Sequence, residues 1–411
     1  MANALTTDPM RHRHDFLRAD PAGTSAELGV ALEVVDSLDA AKQAWRALEP
    51  ACARTPFQTF DWHRLQQNEI LATRQPTIVI GRAPAGVPLF ILPLGIERRG
   101  PVNVLTWLAR RQTSYCGGLF HPATTALLDA TATARLVERI ATLVPEAHAM
   151  VLPDQRDDDE SNPFRRLPRV RGAGIGHSIT LAPWGVLYAA RGNRRTRHND
   201  RRREKRLAEF APWQARIAEH PDDRTRLMQI MFQQKRIWMR ERGIEDFLAD
   251  GNNRALLLAA ASAPAASAVA PLVACLEVAG ETVAVSFGLS QGPWHYSLIT
   301  SVHPGEAYRP FTPGEILFRH VLKYACDRGM ESFDLGIGTT LQKEQYADQR
   351  FRLFHTLVPL TVPGRFYVAA LRAQLAVKRL IKETPVMWEL FQRLRRLRAD
   401  VPGRSGGSAA G

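Results

Sequence analysis

The chain has 411 residues, 45% of them hydrophobic, and a formal net charge of +13. That length favours two domains, and the composition is that of an ordinary globular protein. No apolar run reaches the roughly 18 residues of a membrane span. The four scattered cysteines (Cys52, Cys116, Cys275, Cys326) argue against a zinc ribbon, a redox dithiol or a disulfide scaffold.

The charge sits in two stripes. Residues 191–206 hold nine Arg/Lys against Asp200 and Glu204, and residues 365–400 hold nine against Glu383, Glu389 and Asp400. The rest of the chain is formally neutral, unlike the spread basic face of a nucleic-acid-binding domain. Residues 1–28 are polar and lack the apolar core of a secretory signal, so they read as a disordered tail, as do 401–411. The expected location is the cytoplasm.

In chain order, periodicity predicts a helix at 57–72, a strand pair at 77–82 and 87–95, and a third strand at 103–108. A helix at 124–143 and a strand at 147–152 follow. The basic run 194–207 reads as a connecting helix. Beyond it come helices at 221–242 and 245–258, then strands at 271–278, 281–289 and 293–301. A helix at 312–329 and strands at 331–336 and 351–360 end the pattern. The order helix, hairpin, third strand, long helix, strand thus occurs twice. Each long helix returns the chain so that its last strand lies parallel to an earlier one. The expected fold is α+β: mixed sheets flanked by helices, in domains 29–185 and 221–365 joined by a basic segment 186–220. Basic amphipathic helices over 366–400 follow.

Two stretches can carry chemistry. In "YRPFTPGEILFRHVLKYACDRG", Thr312 fits an N-cap, Pro313 the first helical position and Glu315 the reciprocal member of a capping box. Gly314, lacking a side chain, lets an anion approach the first-turn N–H groups. The same residues equally suit a well-capped helix packed on a sheet. In "ESFDLGIGTTLQKEQYADQ", an apolar strand ends at Asp334 beside Gly336 and Gly338, with Lys343 and Tyr346 shortly after. An acid at a strand's C-terminal end is a frequent active-site arrangement, although the glycines also suit a plain strand exit.

These stretches, with "WHYSLITSVHPG" before them, "TPFQTFDWHRL" near the start and the Arg-rich segment midway, resemble the CelD-like, cellulose-biosynthesis-associated branch of the GNAT acyltransferases. They are also similar to Fem-type aminoacyltransferases, which have two GNAT-like domains in one chain. The resemblance implies direct acyl transfer from acetyl-CoA or a related thioester to an amine or hydroxyl. It implies a setting in cellulose, exopolysaccharide or envelope synthesis. It places the pyrophosphate of the CoA on a loop Q/R-x-x-G-x-G/A, matched here by Arg309, Thr312 and Gly314 with Pro313 between, Thr312 replacing a glycine. His295, Asp334, Lys343 and Tyr346 are the candidate acid–base residues, and the first domain is expected to shape the acceptor site. Thr312 also leaves open a non-catalytic scaffold in a polysaccharide-synthesis assembly.

"GLSQG" at 288–292 matches a nucleophile elbow in letters, but Pro293 and an apolar run follow, so a hairpin turn is expected. "GAGIG" at 172–176 lacks a following helix and reads as a loop. No histidine spacing suits a metal. The run 194–207 has no aromatic residue to stack on bases, so no specific nucleic acid is expected. Arg195 and Arg202 share a helical face, read either as solvated or as lying along the groove to bind an anionic partner. In the C-terminal stripe, Phe366, Tyr367, Leu371, Leu375 and Trp388 mingle with Arg and Lys. That composition fits either packing on the second domain or peripheral association of 365–398 with the anionic inner face of a membrane.

Overall fold

The computed structural model describes residues 18–19, 29–52, 55–191, 194–264, 267–338 and 340–383. The tail at 401–411, most of that at 1–28, and the basic segment beyond 383 with Trp388 lie outside the described residues.

The first half comprises β1 (Arg18–Ala19), β2 (Ala31–Val35), α1 (Leu38–Leu48), α2 (Phe60–Leu65), α3 (Gln67–Thr73), β3 (Gln75–Pro76), β4 (Ile78–Arg82) and β5 (Pro88–Leu92). Next come β6 (Leu94–Arg99), β7 (Val102–Trp107), β8 (Leu119–Phe120), α4 (Thr124–Leu127), α5 (Ala130–Leu143), β9 (Ala149–Arg156) and β10 (Arg169–Thr180). Helices α6 (Trp184–Arg191) and α7 (Arg194–Phe210) lead to β11 (Trp213–Ile217), α8 (Pro221–Glu241), α9 (Gly251–Ser262), β12 (Ala270–Val278), β13 (Glu281–Gln291) and β14 (Trp294–Val302). Then come α10 (Pro313–Asp327), β15 (Ser332–Ile337), α11 (Leu341–Tyr346), β16 (Gln349–Pro359) and α12 (Val362–Glu383).

A small sheet runs β1-β2-β4-β5-β8, and an 11-stranded mixed sheet runs β11-β12-β13-β14-β15-β10-β16-β9-β7-β6-β3. The predicted repeat is visible as two parallel ladders, β7 with β9 and β14 with β15, each three residue pairs long. Between them the halves exchange strands. β10, the last strand of the first half, pairs with β15, and β16, the last of the second, pairs with β9. One apolar core therefore serves both halves, with Trp45, Phe57, Trp62 and Tyr115 packed among Phe287, Tyr296 and Leu353.

Residues 172–176, expected as a loop, lie inside β10. The glycines are there for close approach: a Cβ on Gly176 would stand 2.1 Å from the Phe351 ring, and one on Gly172 2.8 Å from Leu353 O. The strand takes up the mismatch as an irregularity between Arg171 and Ile175. "GLSQG" ends β13 and turns at Gly292 into β14, as a hairpin.

Candidate active site

The β14–β15 ladder pairs Trp294 with Ser332, His295 with Phe333 and Tyr296 with Asp334, and there it stops. Beyond Tyr296, β14 continues to Val302 bonded to β13. The pleat sends Phe333 and Leu335 into the core under α10 and turns Asp334 to the opposite face, towards the first half.

Asp334 is buried there. Its carboxylate accepts the Tyr115 hydroxyl at 2.8 Å, the Gly336 N–H at 2.6 Å and one Arg156 N–H at 3.3 Å. Arg156 gives its better bonds to Asp158, Nε to Oδ1 at 3.0 Å and Nη2 to Oδ2 at 2.8 Å. Its guanidinium lies 3.7 Å from the Phe351 ring centre and 5.0 Å from that of Tyr115. Burial is thus the dominant influence on Asp334 and raises its pKa, which Arg156, Tyr115 and Gly336 only partly oppose. Burial opposes the charge on Arg156 too, but Asp158 and Asp334 outweigh it and hold the group above its ordinary value. Burial and the neighbouring Asp334 charge raise Tyr115 well above its ordinary value.

These groups border a cavity of about 550 Å³ between the halves. Thr55 and Gln58 line it from the 3-10 turn at Pro56–Gln58. Gln58 Oε1 accepts Thr55 N–H at 2.8 Å, and its amide donates to Tyr115 O at 2.9 Å. "TPFQ" therefore fixes the backbone that presents the Tyr115 hydroxyl. Asp158, Asp159 and Glu160, in the turn after β9, give the cavity an acidic lip.

The structure separates the residues singled out from sequence. Lys343 remains near Asp334: its Nζ donates to Ile337 O at 2.8 Å, with burial lowering its pKa and the Asp334 charge opposing that. His295 borders the cavity, but its ring sits 4.6 Å from that of Phe333, on the α10 face of the sheet. It is buried against Ser290 Oγ at 3.1 Å, and burial lowers its pKa to about 3. Tyr346 packs edge-on to Phe318 in the core below α10, where burial pushes its pKa up to about 12. Neither reaches the Asp334 carboxylate, because the intervening sheet holds them on its other side. Tyr115 and Arg156 were missed. The one local signal for Arg156 is the acidic run "DQRDDDE" leaving a buried strand.

At the α10 start, Pro313 is buried and Thr312 is the cap, but its side chain caps no N–H; the expected capping box is absent. The reason is backbone: Thr312 takes the left-handed conformation, φ 49° and ψ 60°. That is the geometry a glycine would adopt at this loop position. Thr312 Oγ1 donates instead to the Glu315 carboxylate at 3.3 Å, which also pairs with Arg203 of α7. Gly314 lies against Val302, and Arg309 is exposed on the preceding 3-10 turn. Helix α7 packs beside this loop. Arg319 of α10 grips Asp200 at 3.1 Å and Glu204 at 2.7 Å, and Arg206 lies over the Phe311 ring. Arg195 and Arg202 are exposed on α7 and do not line the cavity.

Residues 194–347 match the family model of the acetyltransferase (GNAT) domain. The match lies in the second half of the chain. That stretch runs from α7 to the end of α11 and contains α10, the β14–β15 ladder and Asp334. The fold is similar to that of FemX over 77% of this chain and 95% of that one, with 10% identity and a TM-score of 0.50. A conserved protein of unknown function from Bacteroides thetaiotaomicron VPI-5482 aligns at 11% identity and TM-score 0.48, over 79% and 99% of the two chains. A tandem GNAT protein from the clavulanic acid biosynthesis pathway aligns at 9% identity and TM-score 0.42, over 79% and 98%. At 10% identity the likeness to FemX is one of fold alone. No curated protein sequence matches the chain. The GNAT fold usually takes acyl-CoA as co-substrate. Among the described residues, no group of three or more His, Cys, Asp or Glu is placed to hold a metal ion, and no helix is long and apolar enough to cross a membrane.

Proposed function

We propose that the chain is an acyltransferase that passes an acyl group from an acyl-CoA thioester to an amine or hydroxyl held in the cavity between its halves. One observation carries this reading: a buried carboxylate, Asp334, stands where two parallel strands of a GNAT domain part, and the other half of the chain holds it there. The unpaired edge of β14 beyond Tyr296 suits the extended, amide-bearing arm of the donor, which can pair with it as a strand would.

In the transfer, the acceptor attacks the thioester carbonyl, the new C–N or C–O bond forms and the C–S bond breaks. Asp334 takes the acceptor's proton, and the departing thiolate takes one from water. A base with a raised pKa is better matched to that proton than an exposed carboxylate. Tyr115 and Arg156 hold the carboxylate in position. The acidic lip favours a neutral or cationic acceptor over an anionic one. A glycan-type acceptor in cellulose or envelope synthesis rests on the motif resemblance alone.

The test is release of free thiol from acetyl-CoA across a panel of amine and sugar acceptors, with calorimetry of acetyl-CoA binding beside it. Binding together with Asp334-dependent thiol release supports the enzyme. A second reading, a non-catalytic scaffold, is favoured by Glu315, whose carboxylate stands in the turn where a pyrophosphate would approach. Absence of acetyl-CoA binding at millimolar concentration would select it.

A further inference from the structure

Helix α12 is apolar on two faces. On the inner one, Val368 is buried and Tyr367, Leu371 and Leu375 pack with it against Ala149 and Leu357 of the large sheet. Gly364 lets the helix seat closely, since a Cβ there would stand 1.7 Å from His148 O. Tyr367, Leu371 and Leu375, whose composition fitted either packing or a membrane surface, are therefore committed to the fold.

The outer face is a different set. At about 100° per residue, Val362, Phe366, Ala369, Ala373, Val377 and Leu380 fall within a sector of about 80°, opposite the packed side. All six are exposed, Phe366 by 74%, Val362 by 63%, and Val377 and Leu380 by 55% each. Arg365, Arg372 and Arg379 recur every seven residues along one flank of this stripe, Arg372 turning inward to donate to Leu357 O at 3.1 Å, and the helix has no acidic residue before Glu383.

The charges decide the occupant. A second copy would bring two arginine flanks together. The chain's own continuation, 384–400, carries Arg393, Arg395, Arg396 and Arg398 against Glu389 and Asp400, so it meets the same repulsion. An extended apolar surface bearing negative charge has no such conflict. We infer that α12 lies flat on an anionic membrane surface, its Val362–Leu380 stripe in the apolar boundary and Arg365 and Arg379 of its flank among lipid phosphates.

The inference stands apart from the acyltransferase reading and is tested without turnover. The full chain is floated with vesicles of phosphatidylglycerol and phosphatidylcholine, and with phosphatidylcholine alone. The wild type should partition onto the anionic vesicles only. The exposed-face variant Phe366→Glu/Val377→Glu/Leu380→Glu should lose more than about ten-fold in partitioning with unchanged circular dichroism and Tm. Phe366→Ala should show a smaller loss. Arg195→Glu/Arg202→Glu on α7, the other basic surface, should change partitioning less than about two-fold. Four outcomes overturn the proposal: no wild-type binding, equal binding to neutral vesicles, loss through the α7 variant instead, or a reversible dimer dissolved by the α12 variant without vesicle binding.

Discussion

The two parallel ladders start from one plan and end in different chemistry. In each, a strand paired antiparallel on one side (β7 with β6, β14 with β13) pairs parallel on the other for three residues, with a long helix crossing between. The first ladder ends at Thr106 and Val151, the second at Tyr296 and Asp334. Just past its ladder, the first wedge is stitched shut: Trp107 Nε1 donates to Pro153 O at 3.0 Å, and Cys116 N–H to Asp154 O at 2.9 Å. The helix starts differ likewise. Asp129 caps α5 by accepting Ala132 N–H at 2.8 Å, so a carboxylate already fills that anion position, whereas Thr312 leaves the first turn of α10 uncapped. The loop that closes the first wedge carries Tyr115 into the second. One ladder thus ends at the carboxylate proposed as the base, and the other half of the chain holds that carboxylate through Tyr115 and Arg156.

The sharpest way to break that contrast is to alter both ladder ends. Asp334→Asn should lower kcat/KM by about 100-fold or more, and Val151→Asn should leave it within about two-fold. Because burial raises the Asp334 pKa, this group favours the fold in its protonated form, below its unfolded pKa, and works against it as pH rises through the folded value. The neutral Asn should therefore keep or raise Tm at neutral pH while turnover is lost. A falling Tm together with lost turnover would make Asp334 structural.

The second effect is a shift in pH. The base form of Asp334 disappears as pH falls, so the acid limb of kcat/KM should lie above the ordinary carboxylate value of about 3.9. The Tyr115 hydrogen bond lowers that pKa. Tyr115→Phe should then move the limb further up and cost about ten-fold at its optimum. An unmoved limb would mean that another group is the base.

What the sequence made legible follows from range. Asp334 stood out because a strand-end acid beside two glycines is a local pattern. Tyr115 lies 219 residues from it and Arg156 178, and no periodicity reports a contact across such a distance. The repeat of elements was readable from alternation and helical spacing. The exchange of β10 and β16 was not, because it depends on which edges are free once both halves fold. "GAGIG" was misread because glycine signals both a loop and a strand pressed against a neighbour, and only Phe351 in place tells the two apart.

A third effect falls on stability. Trp107→Phe keeps most of the buried ring but removes the bond to Pro153 that shuts the first wedge. It should cost about 1–3 kcal/mol, as an unsatisfied buried carbonyl does, with kcat/KM within about three-fold. A large kinetic loss at an unchanged Tm would give the first wedge a role in the chemistry itself.

The smallest effect concerns the departure at Thr312. A β-branched residue in the left-handed region pays about 1–2 kcal/mol, and Thr312 keeps the conformation that a glycine would hold freely. Thr312→Gly relieves that cost but adds about 0.5–1 kcal/mol of chain entropy to the unfolded state. The net gain should be about 0.5–1 kcal/mol, seen as a rise in Tm of about 1–3 °C. Thr312→Ala, which removes the hydroxyl bonded to Glu315 and keeps the backbone cost, should not raise Tm. If the glycine variant also binds acetyl-CoA more tightly, the substitution at this position had weakened a working anion site. If Tm rises and acetyl-CoA still binds with unchanged affinity, the loop's geometry was already sufficient, and the cost at Thr312 falls on stability alone, in contrast to the first wedge, where Asp129 caps the helix start.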